Sequence, residues 1–267
     1  MPGQRIVTLT SDFGLIETYV GVIKGVILGI HPGVELVDIT HSVQSFDILD
    51  GALAISQAYS YFPPDTIHLV VVDPGVGSSR RPIVARAGQH TFVAPDNGVL
   101  SLIYEREEAL AVHHITSEHY FRQPVSNTFH GRDIFAPVAA YLSKGVEVPK
   151  FGDPVTDFVR FAAPRPKPAG PNMWKGVVLK TEKFGNLITN VTPKDIPQLF
   201  QASPPAFRIN VGKAEITKIC ENYASGGQGE IFAVLGSSGF LEISMNRGSA
   251  ARTAGADRGA EVVLTLA

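Results

Sequence analysis

Short apolar runs alternate with helix-period stretches through the first half of the chain. Residues 6–9 read as a strand, and Val20, Ile23, Ile27 and Ile30 fall on one face of a following helix. Residues 34–37 read as a second strand, 48–62 as a helix burying Ile48, Ala52, Ile55 and Tyr59, and 67–72 as a fully buried third strand. A βαβαβ rhythm implies right-handed crossovers and a mostly parallel sheet with helices on its faces. Residues 82–87 and 91–94 read as a hairpin, followed by a short helix near Leu100 and a helix over 132–144. The predicted first domain is α/β and covers 1–161.

The pattern then breaks. Residues 162–172 read AAPRPKPAGPN, and four prolines in so short a stretch predict a semi-rigid linker at 162–173 rather than a packed element. From residue 174 to 267 the periodicity becomes that of short β runs separated by turn residues, at 175–181, 187–191, 206–211, 214–219, 231–235, 240–245 and 261–266. A smaller all-β domain, a β-sandwich or barrel, is expected there.

Composition narrows the function more than the fold. With 44% hydrophobic and 18% charged residues in 267, the chain is globular rather than disordered, collagenous or disulfide-stapled. Its 23 basic and 25 acidic residues leave a net charge of −2, with no basic run of the kind a nucleic-acid groove needs, so a small ligand is the expected partner. Cys220 is the single cysteine and fits a reducing compartment, so the cytoplasm is the expected location. The opening MPGQRIVTLTSDFG lacks the apolar core of a signal peptide, and no later stretch approaches the ~20 apolar residues of a membrane helix, so neither export nor membrane insertion is expected.

In an open parallel sheet, ligands bind beyond the carboxyl ends of the strands. Carboxylates follow all three predicted strands there: Asp12 in TSDFG, Asp38 in VDITH and Asp73 in VDPGVG. An Asp after a strand also suits a turn or a helix N-cap, and Asp38 is read that way. Asp12 and Asp73 are read as functional, because nearby glycines let a ligand approach the backbone. The segment DPGVGSSR lacks the Lys and the spacing of a phosphate loop, and the DFG tripeptide lacks an upstream glycine loop and lysine strand, so neither match is taken up. A metal held by Asp12, Asp73, His41 and His130 has no supporting spacing, and no metal is expected.

His130, in TFHGRD, precedes the predicted helix at 132–144, where the helix dipole disfavours imidazolium and a neutral, hydrogen-bonding ring is expected. In the second domain, FGNLITN and GSSGF are polar turns between apolar runs. Hairpin chemistry accounts for Gly236 and Gly239, whereas Ser237 and Ser238 also suit a carboxylate, and the Asn186 amide suits the edge of an adenine ring.

TSDFG, VDPGVGSSRR, APDNG, TFHGRD, FGNLITN and GSSGFLEI occur in that order. Together they resemble the S-adenosyl-L-methionine (SAM) hydrolase family, also called SAM hydroxide adenosyltransferases, relatives of the SAM-dependent fluorinase and chlorinase. The resemblance covers nearly the whole chain. It implies an N-terminal α/β domain, a C-terminal β-barrel-like domain, and a homotrimer with active sites between one subunit's N-domain and a neighbour's C-domain. It further implies that Asp73, Arg80 and His130 handle a water that attacks the ribose C5′, with Arg81 a rival for the arginine position. Asp12 would accept hydrogen bonds from the ribose hydroxyls, and Asn186 would meet the adenine. Ser237, Ser238 and Asn246 would lie near the adenine or methionine end. Glu182 stands where relatives commonly have Asp. The resemblance implies no cofactor, SAM being the substrate. Halogenases carry an aromatic residue at the position of Asp73 and a halide-binding serine at that of Gly131, so water is expected in place of halide. Halide-dependent adenosyl transfer and a non-catalytic adenosine or SAM binder are the alternatives.

Overall fold

A computed structural model describes residues 5–267, which divide into two compact units, one running to Ala163 and the other from Pro164 to Ala267. The first unit opens with β1 (Ile6–Ser11), α1 (Tyr19–Ile30), β2 (Glu35–Thr40), α2 (Ile48–Ala58) and β3 (Ile67–Val71). It continues through the hairpin β4 (Pro82–Ala87) and β5 (His90–Pro95), then α3 (Ser101–Arg106), β6 (Leu110–His114) and α4 (Ala136–Ser143). The six-stranded sheet has the order β2-β1-β3-β5-β4-β6. Strands β2, β1, β3 and β5 are parallel neighbours, while β4 runs antiparallel to both β5 and β6.

Alternation along the strands builds a separate core on each face. Val7, Leu9, Leu69 and Val71 pack with Ile23 and Ile27 of α1 and Val138 of α4, whereas Val70 and Val72 pack with Ile55 of α2 and Val99, Leu100 and Ile103 near α3. The predicted βαβαβ start and mostly parallel sheet are therefore observed. The predicted helix at 132–144 begins differently: Gly131–Phe135 form one wide π-type turn, and the α-helical hydrogen bonding starts only at Ala136. Edge strand β6 was not legible in the sequence, because LAVHH is short, shows no apolar–polar alternation and follows a charged run.

The second unit contains β7 (Lys167–Gly170), β8 (Met173–Thr181), β9 (Leu187–Thr189), β10 (Phe207–Val211), β11 (Ala214–Ile216) and β12 (Ile219–Cys220), followed by β13 (Ile231–Leu235), β14 (Leu241–Met245), α5 (Ala250–Ala254) and β15 (Glu261–Leu266). The sheet order β11-β10-β15-β8-β9-β14-β13-β12 places at its two ends strands that are consecutive in sequence. Only Thr217 and Lys218 separate β11 from β12, so the sheet curls round on itself as a barrel-like domain. The proline-rich stretch is not purely a linker: Lys167–Gly170 pair antiparallel with β8, with the register shifting between Pro168 and Gly170. Among the described residues, no helix is long and apolar enough to cross a membrane.

Candidate active site

The chain leaves β1 for β2 on one side and returns to β3 on the other, so the crevice at the carboxyl ends of β1 and β3 is the point where the winding reverses. Asp12 and Asp73 stand just beyond those two strand ends. A cavity of about 340 Å³, of the size that holds a small molecule, is lined there by Asp12, Phe46, Asp73, Phe129, His130 and Gly131 among others.

Pro74 follows Asp73 and cannot continue the sheet, and the chain doubles back through a turn in which the Ser78 hydroxyl donates to Gly75 O at 2.6 Å. Gly77 has a φ of +76°, and a Cβ there would drive into the Asn127 carbonyl, so only glycine fits. The turn returns Arg80 to Asp73. Arg80 Nε donates to both Asp73 oxygens, at 2.9 and 3.0 Å, and Nη2 donates to Oδ2. The pair is nearly buried, with 9% and 6% of the two side chains exposed, and the guanidinium lies 5.0 Å above the centre of the Phe135 ring.

Arg80 Nη2 also approaches His130 Nδ1 at 2.9 Å. A guanidinium has no acceptor, so Nδ1 must accept and the ring proton sits on Nε2. Burial and the neighbouring Arg80 charge both hold the His130 pKa below its ordinary value, against the weaker pull of Asp73 and Asp133. His130 is thus a neutral ring that presents an N–H, as its place before a helix led us to expect. It follows that kcat/KM should stay level from neutral pH upward with respect to this group and fall only below about pH 6.5, as imidazolium forms and repels Arg80. A pH–rate profile checks this, and an acid limb centred above pH 7 would contradict it.

Arg81 is not part of this group. Its Nε and Nη2 donate to Asp96 Oδ2 at 2.9 and 2.7 Å, and its Nη1 donates to Asp157 at 2.7 Å. Of the two candidate arginines, the structure places Arg80 beside Asp73 and His130.

Asp12 Oδ2 accepts from the Phe46 backbone N–H at 2.9 Å, with Phe46 in the left-handed region at φ +67°. Oδ1 has no protein partner among the described residues. The loop bearing Asp12 is braced from beneath by residues whose roles were not evident in the sequence. Ser11 Oγ lies 2.7 Å from His41 Nδ1, His41 Nε2 is 3.1 Å from Asp38 Oδ1, and Lys24 donates to Asp38 Oδ2 at 2.6 Å. Asp38, read from sequence as a turn or cap residue, instead joins α1 to β2. Burial opposes its charge, but hydrogen bonds from Lys24 and His41 outweigh this and lower its pKa. The Ser–His–Asp order resembles a nucleophilic triad, yet Ser11 is buried and so out of reach of a substrate. Gly14 N–H donates to His41 O at 2.7 Å, which closes the loop over this chain of contacts. Among the described residues, no group of three or more His, Cys, Asp or Glu side chains forms a metal-binding cluster.

Asp133 was also missed, although it lies within TFHGRD. Its side chain is fully buried, accepting from Arg132 Nε at 2.7 Å and Nη2 at 2.8 Å, and from Ser126 N–H at 2.9 Å. It ties the approach segment to the π-type turn that follows His130.

In the second unit, Glu182 and Asn186 share one turn. Glu182 Oε1 accepts from the Phe184 and Asn186 amides at 3.1 and 3.2 Å, so one oxygen caps its own turn. The buried Asn186 has no partner for its side-chain amide among the described residues. Ser237 and Ser238 lie in the turn between β13 and β14, with the Ser238 hydroxyl buried and unpaired. Asn246 Nδ2 donates to Gly226 O at 2.9 Å. Buried Glu242, in the same LEI segment, accepts from Tyr223 OH at 2.8 Å; burial and the nearby Glu182 raise its pKa despite that bond.

A doubly wound sheet with a carboxylate–guanidinium–imidazole group at its reversal point, joined to a barrel-like domain, is the arrangement of an adenosyl-transfer family. The family model described as SAM hydroxide adenosyltransferase N-terminal domain matches residues 7–152, and that for the C-terminal domain matches residues 176–263. The chain belongs to the SAM hydroxide adenosyltransferase family. It is 34% identical over 268 residues to the (R)-S-adenosyl-L-methionine hydrolase of Thermus thermophilus, covering 98% of this chain and 100% of that one. A fluorinase from an Actinoplanes species is 25% identical over 294 residues, with 99% of each chain covered. The crystal structure of an uncharacterized conserved protein from Thermotoga maritima superposes with a TM-score of 0.89 at 36% identity, covering 97% of this chain and 99% of that one.

Proposed function

We propose that the protein hydrolyses SAM to adenosine and L-methionine. The observation that carries this reading is that Asp73 and His130 line one cavity and are both held by Arg80, within a chain that aligns end to end with a SAM hydrolase.

Water attacks C5′ of the ribose, the C5′–S bond breaks, and its electron pair returns to sulfur to give the neutral thioether of methionine. A sulfonium needs no acid to leave, so the protein's task is to place and orient the water. Asp73 accepts one of its O–H bonds, and the Nε2 proton of His130 donates to its oxygen. Because His130 carries its proton on Nε2 and accepts Arg80 on Nδ1, it orients the water and does not act as the base. Asp73, held by Arg80 on both oxygens, takes the proton late, as the C–O bond forms. No further cofactor is called for.

Two features favour water over halide. A carboxylate at residue 73 repels an anion on the line of attack. A Cβ at Gly131 would stand 3.2 Å from Phe129 and 3.3 Å from Ile23, too tight for the serine that halogenases use without a shift of its neighbours. Asp12 is the ribose-binding carboxylate of this reading, with Asn186, Glu182, Ser237, Ser238 and Asn246 near the adenine and methionine. A homotrimer, in which a neighbouring subunit's second domain supplies these last residues, is part of the proposal and comes from the family resemblance. It is supported by Leu15, Ile16 and Phe46, large apolar side chains left exposed on the two loops that bear or contact Asp12.

Incubation with SAM in chloride buffer, followed by mass-spectrometric identification of the products, tests the reading. Adenosine and methionine at a rate independent of chloride are expected. A 5′-chloro-5′-deoxyadenosine product would replace it with adenosyl transfer to halide, and tight SAM binding without product would replace it with a non-catalytic binder.

A further inference from the structure

We infer that Asp96 and Asn97, at the carboxyl end of β5, are positioning residues that set the catalytic geometry by gripping both ends of the segment that carries Asp73 and Arg80. They belong to APDNG, a motif with no role in the chemistry described so far.

Asn97 Nδ2 donates to the carbonyl of Val72 at 2.8 Å, one residue before Asp73, while its Oδ1 accepts from Val99 N–H at 3.1 Å. The amide is therefore fixed at both of its ends. Asp96 grips the other end of the segment. Its N–H donates to the carbonyl of Arg81 at 2.8 Å, and its Oδ2 takes the Arg81 guanidinium side-on. Asp96 Oδ1 accepts from Val159 N–H at 2.8 Å, so this carboxylate, only 2% exposed, has both oxygens engaged. Two consecutive residues thus hold positions 72 and 81, the residues flanking the eight-residue segment 73–80. No helix or strand lies within that segment.

The segment's internal pair, Arg80 on Asp73, fixes those two residues relative to one another. It does not fix them relative to His130, which is borne by a different element. The Arg80–His130 contact of 2.9 Å therefore depends on where the whole segment is anchored. A displacement of about 1 Å at such a site typically costs about 10²-fold in rate, so an anchor shared by both ends has direct kinetic value. Asp12 hangs from β1 and does not share this anchor.

The inference rests on the hydrolase reading of Asp73, Arg80 and His130. Asn97→Asp is the variant of choice, since it keeps the side-chain shape and the acceptor for Val99 and turns the donor to Val72 into a carboxylate oxygen that repels that carbonyl. Its kcat for SAM is expected to fall about tenfold with KM within about twofold, because a misplaced catalytic group costs turnover rather than binding. Introduced into Arg80→Ala, the same change should cost little further, because the two act through one device. Losses that multiply, a raised KM at unchanged kcat, or wild-type kinetics in Asn97→Asp would overturn the inference and leave APDNG a purely structural corner. Should Asn97→Asp not fold, Asp157→Asn tests the same device from its exposed end, with about a twofold to threefold fall in kcat expected and an unchanged kcat contradicting it. Wild-type protein that leaves SAM intact would overturn the hydrolase reading and this inference together. Wild-type turnover with indifferent variants would overturn the positioning alone.

Discussion

Asp73→Asn is expected to lower kcat for SAM hydrolysis by ~10²–10⁴-fold, the range that a positioned acid–base group contributes, while changing KM by no more than about threefold. Asparagine fills the same space, but its amide offers an acceptor of little basicity and sets an N–H against the Arg80 guanidinium. The water then loses both its orientation and the final owner of its proton. Steady-state kinetics on the purified variant, with SAM or adenosine binding measured by calorimetry, check this. A variant that binds normally and turns over at the wild-type rate would remove Asp73 from the mechanism.

Asp133→Ala is expected to cost about 2 kcal/mol of stability, the usual cost of removing a buried charged acceptor from its hydrogen bonds. The substitution leaves Arg132 without its bidentate partner and strands the Ser126 amide. Burial alone would raise the Asp133 pKa, but hydrogen bonds from Arg132 and Ser126 together with the nearby Arg122 charge lower it below 3.8. A carboxyl whose folded pKa is lowered contributes its stability above the unfolded value and loses it as pH falls through the folded one. The gap between wild type and Asp133→Ala should therefore be full at neutral pH and shrink in acid below 3.8. Urea denaturation at pH 7 and at pH 3 measures both parts. Equal gaps at the two pH values would show that the lost stability comes from packing rather than charge.

Much of this arrangement was legible in the chain because it rests on periodicity and on residues at strand ends. The βαβαβ rhythm placed Asp12 and Asp73 beyond the strands that border the crevice, and the sheet order made that crevice the reversal point. His130 was marked by its place before a helix. Less visible were contacts joining segments far apart in sequence. No spacing rule connects Ser11 to His41 or Arg81 to Asp96, and the family resemblance favoured Arg80 with Arg81 a close rival, whereas the structure directs Arg80 to Asp73 and Arg81 to the end of β5. The short helix α5 also went unseen. Its five residues, capped by the Ser249 hydroxyl on Arg252 N–H at 3.3 Å, are too few to show a helical period. Likewise, the prolines of residues 162–173 signalled a stiff extended stretch, but only the register with β8 shows that part of it is a strand.

The central claim is that water, held by Asp73 and His130, attacks the ribose C5′. Turnover of SAM in ¹⁸O-labelled water, with the products analysed by mass spectrometry, tests it most directly. Adenosine carrying one ¹⁸O at the 5′ position, with methionine unlabelled, is the predicted result. Adenosine without label, or label appearing in methionine, would contradict water attack at C5′ and the roles assigned to both residues.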